Sequence, residues 1–121
     1  MFARVQNPLR LDDGSEPEPD LMLLRPPKSR YRTRHPGPED VLLLVEVSDS
    51  TLTFDRTTKL ALYARAGIAD VWVVNLVQGQ IEAFFDPADG LFRGQRVCGR
   101  GESVAPRAFP DCVLTVDDVL P

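Results

Sequence analysis

The sequence predicts an α/β fold in which one main helix packs on a mixed, antiparallel-rich sheet. Three observations point there. Val41 to Val47 (VLLLVEV) is a nearly continuous, branched apolar run; Phe54 to Ala66 (FDRTTKLALYARA) is the one clear helix-forming segment; and several short β-type stretches follow it. With 121 residues, 43% hydrophobic and 26% charged, the chain has the size and composition of one domain over residues 1–121.

Residues 2 to 11 predict a short strand broken by Pro8, and Asp12 to Pro19 (DDGSEPEP) a polar turn whose two prolines cannot continue a central strand. Asp20 to Leu24 (DLMLL) reads as a strand ended by Pro26-Pro27. Pro26 to Asp40 holds four prolines and is predicted as a long loop. Val41 to Val47 has the pattern of a strand covered on both faces, so it is expected to be central. Ser48 to Thr53 is rich in capping residues, and the helix stops at Gly67, a natural terminator. Asp70 to Val77 and Gln80 to Phe85 form strands joined through Gln78-Gly79, and Leu91 to Val97 follows a turn at Pro87 to Gly90. The tail, Val113 to Leu120, predicts a short strand and one helical turn.

No uninterrupted apolar run is longer than that of Val41 to Val45, and Met1 to Pro8 lacks the roughly 7 to 15 apolar residues of a secretory leader. A soluble, cytoplasmic protein without membrane contact is expected. Cys98, Cys112 and a lone His35 give no zinc spacing, and no Gly-x-Ser-x-Gly elbow or phosphate-cradling loop is present. The net charge of −4 argues against nucleic-acid binding by bulk electrostatics, but it hides a segregation. Arg25, Lys28, Arg30, Arg32 and Arg34 carry +5 without an intervening acid, which leaves the remainder at −9. This basic loop is a candidate phosphate contact; a solvated linker is the other reading.

Glu46 is the one charge inside its strand, and a lone buried carboxylate requires a cation or hydrogen-bond donors. Alternation places Leu42, Leu44, Glu46 and Ser48 on one face and Leu43, Val45 and Val47 on the other. Asp20 opens another apolar strand, predicted to neighbour that of Glu46, so two carboxylates can converge at one edge, an arrangement suited to Mg²⁺. The alternative is that Asp20 caps the proline-rich turn and Glu46 meets an arginine. Lys59 stands out because the chain has 12 arginines and only 2 lysines, as though a flexible point charge were required there. Asp55, Lys59 and Tyr63 form one polar helix stripe, for which an exposed Asp55–Lys59 ion pair is the plainer explanation. Asp49 reads as a loop or cap residue, and Trp72 and Phe84 as packing residues.

The run Glu46-Val47-Ser48-Asp49-Ser50-Thr51-Leu52, with Asp55, Lys59, Tyr63-Ala64-Arg65-Ala66-Gly67-Ile68, Val71-Trp72-Val73-Val74 and the preceding Pro19-Asp20, resembles the Uma-two restriction endonuclease family of the PD-(D/E)XK nuclease superfamily. The resemblance covers nearly the whole chain and implies a restriction-endonuclease-like fold. It implies that Asp20 and Glu46 are the acids that bind Mg²⁺ or Mn²⁺, and that Lys59 is the catalytic lysine moved onto the helix, Ser48 standing in its usual place. The activity implied is Mg-dependent hydrolysis of DNA phosphodiester bonds. Asn75 departs from the pattern, since relatives often have an acid there. Relatives also carry an additional amino-terminal segment, so the resemblance implies a chain truncated at the amino terminus. A weakly active or inactive remnant that serves as an interaction or nucleic-acid-binding module is the alternative. With one substantial helix for two sheet faces, an uncovered apolar face predicts a two-fold homodimer.

Overall fold

Apolar and branched runs become strands in the computed structural model, which describes residues 2–5, 8–11, 14, 16–49 and 53–121, with residues 2–5 and 53–56 described by backbone alone. The strands are β1 (Phe2–Val5), β2 (Leu21–Leu24), β3 (Val41–Ser48), β4 (Asp70–Asn75), β5 (Gln80–Ala88), β6 (Leu91–Gly99), β7 (Ser103–Val104) and β8 (Leu114–Thr115). The α-helices are α1 (Thr53–Ala66) and α2 (Val116–Val119), and two short 3-10 helices, Lys28–Tyr31 and Pro38–Asp40, stand within the segment predicted as a loop. Gln6, Asn7, Asp12, Asp13 and Ser15 in the predicted amino-terminal strand and turn, and Ser50 to Leu52 in the capping segment, lie outside the described residues.

The first six strands form one sheet in the order β1-β2-β3-β4-β5-β6, and β7 pairs with β8 separately. Only β3 and β4 run parallel within the six-stranded sheet, because only they are joined by a helical crossover, α1; the other neighbours are antiparallel. This is the mixed α/β arrangement expected. The most enclosed strand is β4, buried at every residue, whereas β3 ends with Val47 50% exposed. The position of β4 between β3 and β5 covers both its edges, while the end of β3 outruns the layers above and below it.

One face of the sheet packs Met22, Leu24, Val41, Leu44 and Val71 against Tyr63 and Ile68, with Leu9, Leu11 and Tyr31 completing the cluster. The helix stops where Gly67 takes φ +80°, with Gly67 N–H donating to the Ala64 carbonyl and Ile68 N–H to Tyr63, both at 3.1 Å. The opposite face packs Leu43, Trp72, Val74, Ile81 and Ala83 against Val104, Val116 and Leu120. The face that the sequence leaves without a helix is therefore covered in good part by the chain's own carboxyl-terminal segment. That removes the premise from which a second copy was expected there.

Two local departures have simple causes. Leu23 pairs with Leu43 but Leu24 pairs with Val41, so a bulge at Leu42 breaks the alternation, and Leu42 does not share the face of Leu44 and Glu46. The turn expected at Pro87 to Gly90 is tighter: β5 runs to Ala88, and Asp89 and Gly90, with φ +54° and +77°, make the two-residue reversal. Pairing of β5 with β4 ends at Phe85, so Pro87 lies where no partner needs its missing N–H. Among the described residues no helix is long and apolar enough to cross a membrane.

Candidate active site

The antiparallel pairing of β2 with β3 supplies both carboxylates. Leu21 lies opposite Val45, so Asp20, one residue earlier, reaches the Glu46 side chain and the Val47 backbone at the carboxyl end of β3. The contacts interlock: Val47 N–H donates to Asp20 Oδ2 at 2.7 Å, and Asp20 N–H donates to Glu46 Oε1 at 3.2 Å. The second Glu46 oxygen, Oε2, meets Lys59 Nζ at 3.1 Å. Lys59 reaches it because α1 folds back over the same sheet face and Lys59 lies six residues past Thr53, about 9 Å along the helix at ~1.5 Å per residue. Strand ends that feed crossover helices are where open α/β sheets place their ligands.

Burial is the main influence on Glu46 and pushes its carboxyl above the ordinary range; the Lys59 ammonium and the Asp20 N–H pull it back, and the Asp20 charge pushes it up again. The Glu46 side chain is 13% exposed and that of Lys59 47%, so the acid is recessed and the base stands at the rim. Among the described residues no group of three or more His, Cys, Asp or Glu side chains is placed to hold a metal. The pair nevertheless fits Mg²⁺ or Mn²⁺ by its chemistry. Its donors are hard carboxylate oxygens, two carboxylates are a usual protein share for Mg²⁺, and a cation, the Lys59 ammonium, already sits against Glu46.

The basic residues are elsewhere. Arg25 follows β2 at its far end, where Arg25 N–H donates to the Asp40 carbonyl at 2.8 Å. It is five residues from Asp20 along an extended strand, about 17 Å at ~3.3 Å per residue. The loop is built rather than loose. Tyr31 is buried, with its hydroxyl donating to the Arg25 carbonyl at 2.8 Å, and buried Asp40 meets Arg34 at 3.0 Å, Arg30 at 3.4 Å and Gly37 N–H at 2.9 Å. Burial raises the Asp40 carboxyl, but these donors together outweigh it and hold it below its ordinary value. Arg25 Nε is engaged by the Glu39 carbonyl at 2.9 Å. Lys28 and Arg32 are exposed.

Tyr63, placed with Lys59 on a polar stripe by spacing, is instead 1% exposed in the core, and the side chain of Asp55 lies outside the described residues. Asp49 is exposed beyond β3. Asn75 is buried and donates to Glu82 Oε2 at 2.9 Å, as does Gln80, also at 2.9 Å. Register places Glu46, Val73 and Glu82 in one row across the sheet, so Glu82 shares the site's face two strands away. The rule that singled out Glu46, a lone charge in an apolar strand, also marks Glu82 in QIEAFF.

The family model Uma2, described as "Putative restriction endonuclease", matches residues 1–117. The chain belongs to the Uma2 family. Its fold is similar to a crystal structure from Anabaena variabilis described as a "putative nuclease", with a TM-score of 0.70 and 12% identity over 97% of this chain. The Uma2 chain spans 66% of that protein's length. Among curated proteins, none matches it.

Proposed function

We propose that this Uma2 chain is a metal-dependent endonuclease that hydrolyses DNA phosphodiester bonds at the Asp20–Glu46–Lys59 site. One observation carries the reading: two carboxylates held against each other's strands, with a lysine ammonium 3.1 Å from one of them. Asp20 and Glu46 would hold Mg²⁺ or Mn²⁺, which supplies a Lewis acid that makes water a better nucleophile and screens phosphate charge. The Val47 and Asp20 N–H groups fix the two carboxylates, so the donor set is oriented before any substrate arrives. Lys59, at the rim, is placed to orient the attacking water by hydrogen bonding or to meet negative charge growing on the phosphoryl oxygens. Water would be the nucleophile, its oxygen bonding to phosphorus as the bond to the leaving sugar oxygen breaks, so no nucleophilic side chain is needed.

Family membership and the nuclease-like fold support the reading. The test is nicking of supercoiled plasmid by the purified chain in Mg²⁺ or Mn²⁺, compared with Glu46→Ala. Metal-dependent nicking that chelation abolishes, and that the variant loses, is the expected result. Equal nicking by both proteins would sink the assignment.

A further inference from the structure

We propose that the outward side of residues 25–34 is a docking surface for the phosphate backbone of duplex DNA, with Lys28 and Arg32 as its principal contacts. The inference rests on the DNA-nuclease reading and adds where the substrate is held, away from the acids. The acidic site has no capacity to attract DNA by charge before an ion is bound: Asp20 and Glu46 together outweigh Lys59. Affinity must come from elsewhere on a chain of net charge −4.

The segment that can supply it is organised for the purpose. Tyr31 anchors its middle in the core, and Asp40 draws Arg30 and Arg34 to one side while leaving both side chains 40% or more exposed. Asp40 and the neighbouring Glu39 offset Arg30 and Arg34, so the surplus positive charge of the segment rests on Arg25, Lys28 and Arg32. Lys28 and Arg32 flank buried Tyr31 and are exposed; their side chains carry no ion pair or hydrogen bond among the described residues. A solvated linker would not be pinned by a buried tyrosine and a buried carboxylate. Lys28 and Arg32 are thus carried on a fixed segment rather than a flexible tail, which limits the entropy lost when a rigid polyanion binds. The segment begins at Arg25, about one strand length, ~17 Å, from Asp20, a span that matches about five base pairs at ~3.4 Å rise.

The test is binding of a fluorescent duplex of about 20 base pairs to the full chain in EDTA, where no cleavage occurs, over a range of salt concentrations. Each phosphate contact contributes about 0.9 to the slope of log affinity against log salt. Lys28→Ala/Arg32→Ala is expected to lower that slope by about 2 and to weaken binding at least about tenfold near 0.1 M salt. Arg93→Ala/Arg96→Ala removes the same charge from β6, at the far edge of the sheet, and is expected to leave affinity within about twofold. No measurable wild-type binding, an unchanged slope in the first variant, or an equal loss in the second overturns the proposal. Because the readout needs no turnover, the docking surface can stand where plasmid nicking fails, and nicking can succeed where this surface proves irrelevant.

Discussion

Replacing Glu46 by glutamine separates what this residue does for folding from what it does for an ion. The amide retains an oxygen to accept the Asp20 N–H and removes the charge. Burial raises the Glu46 carboxyl, so the folded state favours the protonated form more than the unfolded chain does. Ionised Glu46 therefore weakens folding. The penalty is absent below the unfolded pKa, grows through the window between the two values, and is complete above the folded one. Lys59 returns part of this, but its side chain is 47% exposed and the pair is screened. At neutral pH Glu46→Gln should be as stable as wild type or up to about 1 kcal/mol more stable. For 121 residues, with about 2.1 cal/mol/K of unfolding entropy each, that is a rise of up to about 4 °C. Mg²⁺ at ten times its Kd should raise wild type by about 1.4 kcal/mol, or about 6 °C, and the variant by little. Because the ion needs the ionised acid, the wild-type shift should fade as pH drops through a Glu46 pKa above the ordinary carboxylate range. Scanning calorimetry in EDTA and in Mg²⁺ reads both effects. A variant melting more than about 4 °C below wild type in EDTA, or one keeping the full Mg²⁺ shift, would refute the reasoning.

Lys59→Arg should slow DNA cleavage about a hundredfold in a single-turnover assay while changing Tm by less than about 2 °C, because a planar fork does not reproduce the position of a point charge; full activity would make Lys59 a surface residue. Asp40→Ala removes the Gly37 hydrogen bond and both arginine contacts and should lower stability by about 1–3 kcal/mol in urea titration at pH 7. The folded pKa of Asp40 is depressed, so its contribution is present above the ordinary carboxylate range and lost as pH falls through the folded value. The gap between wild type and Asp40→Ala should close in acid. Gly94→Ala would put a Cβ inside the ring of Phe85, against which Arg107 also packs at 4.3 Å; a loss of about 1–3 kcal/mol is expected, and an unchanged Tm would mean the ring can move aside.

Glu46 was legible because a single charge in an apolar strand needs partners, which the Lys59 ammonium and the Asp20 N–H supply; Asp20 was legible because it opens the neighbouring strand, and the scarcity of lysine marked Lys59. The helix stop at Gly67 followed from the one residue type that takes positive φ freely. Other features depend on neighbours that no local pattern reveals. The bulge at Leu42 is set by how β2 meets β3, and the passage of β5 through Pro87 by the end of β4. The cover supplied by Val104, Val116 and Leu120 comes from strands of two residues and a helix of four, too short to show a period. Asp20 and Arg25 look adjacent in sequence, yet an intervening strand sends them to opposite ends of the sheet.

The account turns on one divalent ion shared by Asp20 and Glu46, and electron paramagnetic resonance titration of Mn²⁺ measures it without requiring turnover. One ion bound per wild-type chain, displaced by Mg²⁺, retained in Lys59→Ala and lost in Glu46→Gln is the predicted result. Undiminished Mn²⁺ binding by Glu46→Gln, or none by wild type, would contradict it.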